Sequence, residues 1–212
     1  MITVIGMGPG DPEYVTPIAW SKAKNADILV GSDRLLRLFT SSSAKKVSIS
    51  SNMRSVVEGL TDIKEKKVAV LVSGDPGLFS LLKMIKEHVD GEFIEVIPGI
   101  SSAQMLFSKT LSSWDDVVFV TLHGREGKTE RLLEAARKTK RMAVFNGPEF
   151  TADRIAKTLI TGGYKGVAIV GQQLSLSDES VKELSLEELG KTSDIRAAVI
   201  LFELKSGKQA DG

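Results

Sequence analysis

The sequence predicts an α/β protein built from two lobes. Short apolar runs, most of them rich in Val and Ile, alternate with longer amphipathic segments along nearly the whole chain. Gly, Pro, Ser or Asp bound most of these runs, and this rhythm is typical of strands separated by helices. The predicted strands are residues 2–5, 28–30, 46–49, 68–72 and 93–97 in a first series, and 117–122, 142–145, 167–170 and 197–204 in a second.

A short polar stretch, residues 111–116, separates the two series of strands. We therefore predict an N-terminal lobe over residues 1–110 and a C-terminal lobe over residues 117–204. Residues 205–212 form a polar tail that should be frayed.

The predicted helices carry their own signals. Thr16 followed by Pro17 is typical of a helix start, because proline at the first helical position loses no hydrogen bond. Residues 129–138 place Leu132, Leu133 and Ala136 on one face, with charged residues largely around it.

The composition excludes several classes of function. The 212 residues are 42% hydrophobic and carry a net charge of +1, so no basic field indicates nucleic-acid binding. The chain has no cysteine, which excludes thiolate metal sites and thiolate nucleophiles. No stretch reaches the roughly 18 apolar residues of a membrane span. The pattern at the N-terminus indicates a strand and not a signal peptide. We expect a cytoplasmic protein without a membrane segment.

A glycine-rich turn, Gly6-Met-Gly-Pro-Gly-Asp11, follows the first strand. Clustered glycines allow backbone N–H groups to approach a ligand. A dinucleotide-binding turn would have a third glycine where Asp11 stands, and Pro9 and Pro12 prevent a helix from starting there. A phosphate-binding P-loop is excluded as well, since no Gly-Lys-Ser/Thr follows. A tight turn without a ligand remains the alternative.

Two further polar turns end the fourth and fifth strands, Ser73-Gly-Asp-Pro-Gly77 and Pro98-Gly-Ile-Ser-Ser102. Ligands of open α/β sheets bind outside the carboxyl ends of the strands, so the three turns are expected to meet at one crevice. Asp75 could accept hydrogen bonds from a ribose or an ammonium group, and Ser101 and Ser102 could offer hydroxyls to a carboxylate. Each turn alone is more often structural, but the three together favour a ligand site.

These three turns resemble the signature turns of the tetrapyrrole (corrin/porphyrin) methylase family. Ala26-Asp-Ile-Leu-Val-Gly-Ser-Asp-Arg-Leu35 is similar to the second motif of that family. The resemblance covers nearly the whole chain. It implies two α/β lobes with S-adenosylmethionine in the cleft between them and no metal. Methyl transfer from a sulfonium is an in-line displacement that needs positioning and exclusion of water, and the sequence offers no convincing metal cluster.

The resemblance also implies which residues line the cofactor. Position 146 is Asn in this chain, where many relatives carry Met. The implied cofactor-binding residues are Pro9, Gly74, Asp75, Leu78, Ser101 and Ser102 in the first lobe, and Phe145, Asn146 and Ala168 in the second.

Within the family, Thr121-Leu-His-Gly-Arg125 and Trp114 resemble the corrin branch that methylates ring carbon C5. This implies an anionic tetrapyrrole substrate, a cobalt-precorrin, with a separate protein for C15 methylation and decarboxylation, and a homodimeric enzyme. Arg34 and Arg125 lie just beyond strand ends, where a guanidinium could hold a ring carboxylate. Asp33 and His123 are the candidate catalytic residues, although a helix cap and an incidental loop histidine are the simpler interpretations.

Three alternative functions remain at this stage. Within the family, the siroheme-branch uroporphyrinogen methyltransferases have similar cofactor turns. Outside it, a nicotinamide-dependent oxidoreductase would quench NADH fluorescence, and a non-catalytic binding module would show no S-adenosylmethionine affinity by calorimetry.

Overall fold

The computed structural model describes residues 1–49, 53–62, 65–123, 127–147, 149–193, 195 and 197–206. The chain divides into two compact units, Met1–Ser101 and Ser102–Gly212. Each unit contains one five-stranded sheet flanked by helices. The predicted α/β class with two lobes is therefore confirmed.

The first unit is built on a parallel sheet with strand order β3-β2-β4-β1-β5. Its central strands are mostly apolar and buried, because both faces of the sheet are covered. The strands are β1 Ile2–Gly6, β2 Ile28–Gly31, β3 Lys45–Ser48, β4 Val68–Val72 and β5 Ile94–Ile97. The helices are α1 Pro17–Lys24, α2 Asp33–Leu36, α3 Met53–Glu58 and α4 Leu82–Lys86.

The order of the strands places a crevice at the carboxyl ends of β2 and β4. These two strands are neighbours, but the chain leaves β2 toward β3 at one edge of the sheet and leaves β4 toward β5 at the other edge. Connections that diverge in this way leave an open groove between two strand ends, which is where α/β sheets commonly bind ligands. The turns at these strand ends are therefore the natural candidates for a site.

The second unit has a mixed sheet with strand order β6-β7-β10-β8-β9, in which only β6 and β7 pair in parallel. The strands are β6 Val118–Thr121, β7 Arg141–Phe145, β8 Tyr164–Gln172, β9 Ser180–Ser185 and β10 Ala197–Ser206. The helices are α5 Ser102–Lys109, α6 Lys128–Lys138, α7 Ala152–Thr161 and α8 Leu186–Leu189.

The division between the units falls earlier than the sequence suggested, because α5 packs on the second sheet. The ring of Phe107 lies 6.1 Å from the ring of Phe119 on β6 and 5.5 Å from that of Trp114. The polar stretch that separated the predicted lobes is thus part of the second unit. Phe107 of the neighbouring helix α5 is only 1% exposed. Residues 102–110 therefore belong to this unit as well.

Strand β9 was not predicted from the sequence. Its residues Lys182 and Glu183 are exposed, and it lies at the edge of the sheet, paired only with β8. Charged side chains are usual on edge strands, where they prevent pairing with other chains. The same charges remove the apolar alternation by which a strand is recognised in a sequence.

The described helices are short. The longest of them, α6, has 11 residues, whereas a membrane-spanning helix needs about 20. Within the ranges given above, no helix combines the length and the hydrophobicity required to cross a bilayer.

Candidate functional site

The turns after β1, β4 and β5 are in direct backbone contact. The N–H of Gly74 donates to the carbonyl of Gly8 at 2.8 Å. A methyl group built on Gly6 would lie 2.6 Å from the nitrogen of Gly99 and 2.7 Å from the carbonyl oxygen of Gly74. Only glycine fits at such a distance, so the glycines of three separate motifs hold the three strand ends together.

Two of these glycines also require a left-handed backbone. Gly8 has φ +71° and Gly74 has φ +68°, a region that side-chain-bearing residues rarely adopt. Half-buried Pro9 lies directly between Gly8 and Gly10 and fixes the next dihedral angle. Asp11 then accepts a hydrogen bond from the N–H of Glu13 at 2.8 Å and ends the turn. The loop has a defined shape without any ligand.

The carboxylate of Asp75 joins two of the turns. Its Oδ1 accepts from the N–H of Gly77 at 2.7 Å, and its Oδ2 accepts from the N–H of Gly99 at 3.1 Å. The sequence analysis considered Asp75 only as a ligand acceptor. A carboxylate has about four acceptor positions, so it can hold both N–H groups and still accept from a ligand. Its contact with the cofactor stays a prediction.

The same turn reaches the end of β2 through a side chain. Nη2 of Arg34, in α2, donates to Oγ of Ser73 at 2.8 Å. Ser73, Gly74 and Asp75 therefore contact the turns at the ends of β2, β1 and β5 respectively. The contact of Ser73 with Arg34 was missed from the sequence because the two residues lie 39 positions apart and no local pattern links them.

The remaining predicted residues of the first unit lie close to these turns. Asp33 is exposed at the start of α2. Half-buried Leu78 donates its N–H to the carbonyl of Asp75 at 3.3 Å. Ser101 is only 4% exposed, and its Cα would lie 3.5 Å from a methyl group on Gly74. The structure thus brings Ser101 and Gly74 together, as the sequence analysis expected of these turns.

In the second unit the candidate residues lie at the ends of β6 and β7. The N–H of Leu122 donates to the carbonyl of Phe145 at 2.9 Å. A methyl group on Gly147 would lie 3.4 Å from Nδ1 of His123 and from the carbonyl oxygen of Leu122. His123 therefore lies beside the end of β7, although more than 20 positions separate it from Phe145 and Asn146 in the sequence. Ser102 begins α5 in this unit.

Asn146 carries a buried oxygen that lacks a partner. Its Oδ1 is removed from solvent and accepts no hydrogen bond within the described part of the chain. Asn146 directly follows β7, in which Val144 is completely buried. A buried acceptor left unpaired costs roughly 1–3 kcal/mol, so this oxygen is suited to an N–H or O–H group supplied by a ligand.

His123 lies beside a cation. The residue keeps more than a third of its surface accessible. Partial desolvation of the ring and, to a smaller degree, the ammonium group of Lys128 lower the pKa of His123. Lys128 in turn forms an ion pair with Glu149, with 2.8 Å between Nζ and Oε2. A histidine with a lowered pKa is neutral at pH 7 and can accept a proton.

Two predicted residues are not placed at these strand ends. Arg125 lies outside the described residues. Ala168 is in the middle of β8, and its methyl group is completely buried in the core of the second unit with Phe202 and Leu186. The role of Ala168 in cofactor binding stays a prediction.

The structure defines a class of protein. Glycine turns packed at the carboxyl ends of a parallel sheet are typical of α/β enzymes that bind a nucleotide-like cofactor. The chain belongs to the tetrapyrrole (corrin/porphyrin) methylase family, whose profile matches residues 1–190. This confirms the resemblance read from the turns.

Two curated relatives match the chain over nearly their whole length. A probable cobalt-precorrin-7 C(5)-methyltransferase of Methanocaldococcus jannaschii is 34% identical, with 96% of this chain and 98% of the relative covered. The cobalt-precorrin-7 C(5)-methyltransferase of Salmonella typhimurium is 27% identical, with 96% and 100% covered.

A solved structure shows the same fold. The uroporphyrin-III C-methyltransferase of Thermus thermophilus, complexed with S-adenosyl homocysteine, is similar with a TM-score of 0.72. It is 20% identical, and the match covers 95% of this chain and 91% of that one. At this identity the likeness establishes the fold and not the substrate.

Proposed function

We propose that the protein transfers a methyl group from S-adenosylmethionine to C5 of cobalt-precorrin-7 in cobalamin biosynthesis. The observation that carries the proposal is the match, over almost the full length of both chains, to two relatives with that name. The siroheme-branch alternative has less support, since the likeness to the uroporphyrin-III methyltransferase, at 20% identity, concerns the fold alone.

The described residues fit S-adenosylmethionine. The contact of Gly6, Gly74 and Gly99 holds the three predicted cofactor turns together, and Oδ1 of Asn146 is an acceptor in need of a donor. We propose that the first turn presents backbone N–H groups to the cofactor and that Asp75 accepts from its ribose. Leu78 and Ser101 in the first unit, and Ser102 and Phe145 in the second, remain predicted cofactor contacts.

Of the donors on the two ligands, the 6-amino group of adenine suits Asn146 best. The acetate and propionate groups of a corrin precursor are ionised at pH 7 and only accept hydrogen bonds. An ammonium group would have to be desolvated to reach this buried oxygen, at high cost. A neutral amino group is desolvated at much lower cost, and the ribose hydroxyls are assigned to Asp75, so we assign Asn146 to adenine.

The cofactor supplies an electrophilic methyl group on a sulfonium, and the protein mainly positions the two reactants. Arg34 and Arg125 hold carboxylates of the ring, because a guanidinium binds a carboxylate through two parallel hydrogen bonds. A ring carbon that gains a methyl group can then release a proton. Neutral His123 or Asp33 takes up this proton, with His123 favoured by its lowered pKa.

The test is a methylation assay with three substrates, cobalt-precorrin-7, cobalt-precorrin-4 and uroporphyrinogen III. We expect methyl transfer to cobalt-precorrin-7 only. Arg34→Ala should weaken tetrapyrrole binding about tenfold or more, while affinity for S-adenosyl homocysteine stays close to wild type. Preferred methylation of uroporphyrinogen III would instead support the siroheme branch.

We further propose that the enzyme is a cytoplasmic homodimer and that a separate protein methylates C15. Both curated relatives are named for methylation at C5 alone, which supports a separate protein for C15. Leu111 is 95% exposed and Trp114 45% exposed on the second unit, and a second copy would cover them. Sedimentation of wild type and Leu111→Ser tests this, and a wild-type monomer would contradict it.

A further inference from the structure

We propose that Ser73, which lies in the cofactor turn after β4, is a positioning residue for the substrate. Its hydroxyl accepts from Nη2 of Arg34 at 2.8 Å. The proposal rests on the function given above, in which Arg34 binds a ring carboxylate. It assigns one residue of a cofactor motif to recognition of the tetrapyrrole.

The hydroxyl of Ser73 is not needed to build the turn itself. Oδ1 and Oδ2 of Asp75 hold Gly77 and Gly99, and the N–H of Gly74 binds Gly8. These bonds fix the turn through the residues that follow Ser73. Among the described residues, the hydroxyl of Ser73 has Arg34 as its hydrogen-bond partner and no other. A serine whose turn is already held by its neighbours is free to serve another element.

Arg34 requires such a support. Its side chain is exposed at the second residue of α2, a helix of four residues. A long exposed side chain loses considerable rotamer freedom when it binds. The hydrogen bond that Nη2 donates to Ser73 restrains the guanidinium before a ligand binds. The other N–H groups of Arg34 have no partners in the described chain. Those groups form the fork that a carboxylate can take.

The location of the pair agrees with this role. Arg34 follows β2 and Ser73 follows β4, the neighbouring strands whose connections diverge. The bond therefore links the segments that follow these two strand ends, which is the position where open α/β sheets bind ligands. On its other side the turn contacts Gly8 and Gly99. Consecutive residues of this one turn therefore serve the binding of the tetrapyrrole ring and of the cofactor.

The test compares Ser73→Ala, Ser73→Thr, Arg34→Ala and the double variant Arg34→Ala/Ser73→Ala. Two affinities are measured for each protein, that of S-adenosyl homocysteine by calorimetry and that of cobyrinic acid by absorbance titration. Cobyrinic acid is a stable cobalt corrin with free acetate and propionate groups. We expect Ser73→Ala to weaken cobyrinic acid about threefold to tenfold, as the loss of one hydrogen bond would. Ser73→Thr should restore it, and S-adenosyl homocysteine affinity should change less than twofold.

The double variant separates positioning from a general structural role. If Ser73 acts through Arg34, then Ser73→Ala has no further effect on corrin affinity once Arg34 is Ala. Equal losses in the presence and absence of Arg34, or loss of S-adenosyl homocysteine binding in Ser73→Ala, would overturn the proposal. Wild-type corrin affinity in Ser73→Ala, with a large loss in Arg34→Ala, would also overturn it while leaving the proposed function intact. Failure of the wild-type protein to bind any corrin would contradict both.

Discussion

Replacement of Gly99 by Ala tests the contact of the three turns most severely. The added methyl group would lie 2.8 Å from the carbonyl carbon and Cα of Gly6, and closer still to the carbonyl oxygen of Gly74. Carbon atoms in contact are about 3.5 Å apart, so the strand ends must separate by roughly 0.7 Å. The obstructing atoms are backbone on both sides and cannot rotate away. Overpacking of this kind costs roughly 1–3 kcal/mol, and we expect the upper end of that range.

The cost should appear in stability and in binding. Because the turns that move are those assigned to the cofactor, affinity for S-adenosyl homocysteine should fall about tenfold to a hundredfold. The matched control is Gly91→Ala, just before the same strand β5, where a methyl group would meet nothing within 4 Å. That variant should keep the wild-type affinity and a free energy of unfolding within about 1 kcal/mol.

Urea denaturation and calorimetry on both variants provide the comparison. A Gly99→Ala protein as stable and as tightly binding as Gly91→Ala would refute the reasoning, since the three strand ends would then not depend on close backbone contact. A loss of stability alone, with unchanged affinity, would show that the contact of the three turns is structural and that the cofactor binds elsewhere.

Three further predictions concern single side chains. Asp75→Ala should lower both the free energy of unfolding and the free energy of cofactor binding by roughly 1.5–3 kcal/mol each, because the carboxylate joins two turns. If calorimetry shows an unchanged cofactor affinity, Asp75 has a structural role only. Asn146→Leu should unfold at the same or a higher urea concentration than wild type, because a buried unpaired oxygen is removed. The same variant should lose the preference of the wild type for S-adenosyl homocysteine over its inosine analogue, and a retained preference would contradict the assignment to adenine. For His123, whose pKa is lowered in the folded protein, the unfolded state binds more protons just below pH 6.5. The contribution of His123 to the free energy of unfolding therefore becomes less favourable as the pH falls through that window. His123→Gln should lose less stability than wild type between about pH 7 and pH 5, and equal losses would contradict the lowered pKa.

Much of the fold could be predicted because its strands are apolar and clearly bounded. The runs at β1, β4 and β10 are rich in Val, Ile and Leu, and these apolar residues are buried as expected. The charged edge strand β9 could not be recognised, since its exposed face removes the pattern. The assignment of α5 to the second unit depends on the contact of Phe107 with Phe119, which local patterns do not reveal.

The meeting of the three turns was predicted from the sequence, whereas the contacts of the individual residues within them were not. The glycines indicated close approach of the backbone to a ligand, whereas Gly6 and Gly99 in fact approach each other. Asp75 was chosen as a ligand acceptor, yet its two oxygens first hold Gly77 and Gly99. These contacts join residues far apart in the chain, so they follow from the sheet order and not from any motif.

The most direct test of the account is the position at which the methyl group is placed. The purified protein is incubated with cobalt-precorrin-7 and S-adenosylmethionine labelled with ¹³C in its methyl group, and the product is examined by NMR. We predict a single labelled methyl group on C5. A labelled methyl on another ring carbon, or transfer to uroporphyrinogen III and not to cobalt-precorrin-7, would contradict the assignment to the C5 branch of the family.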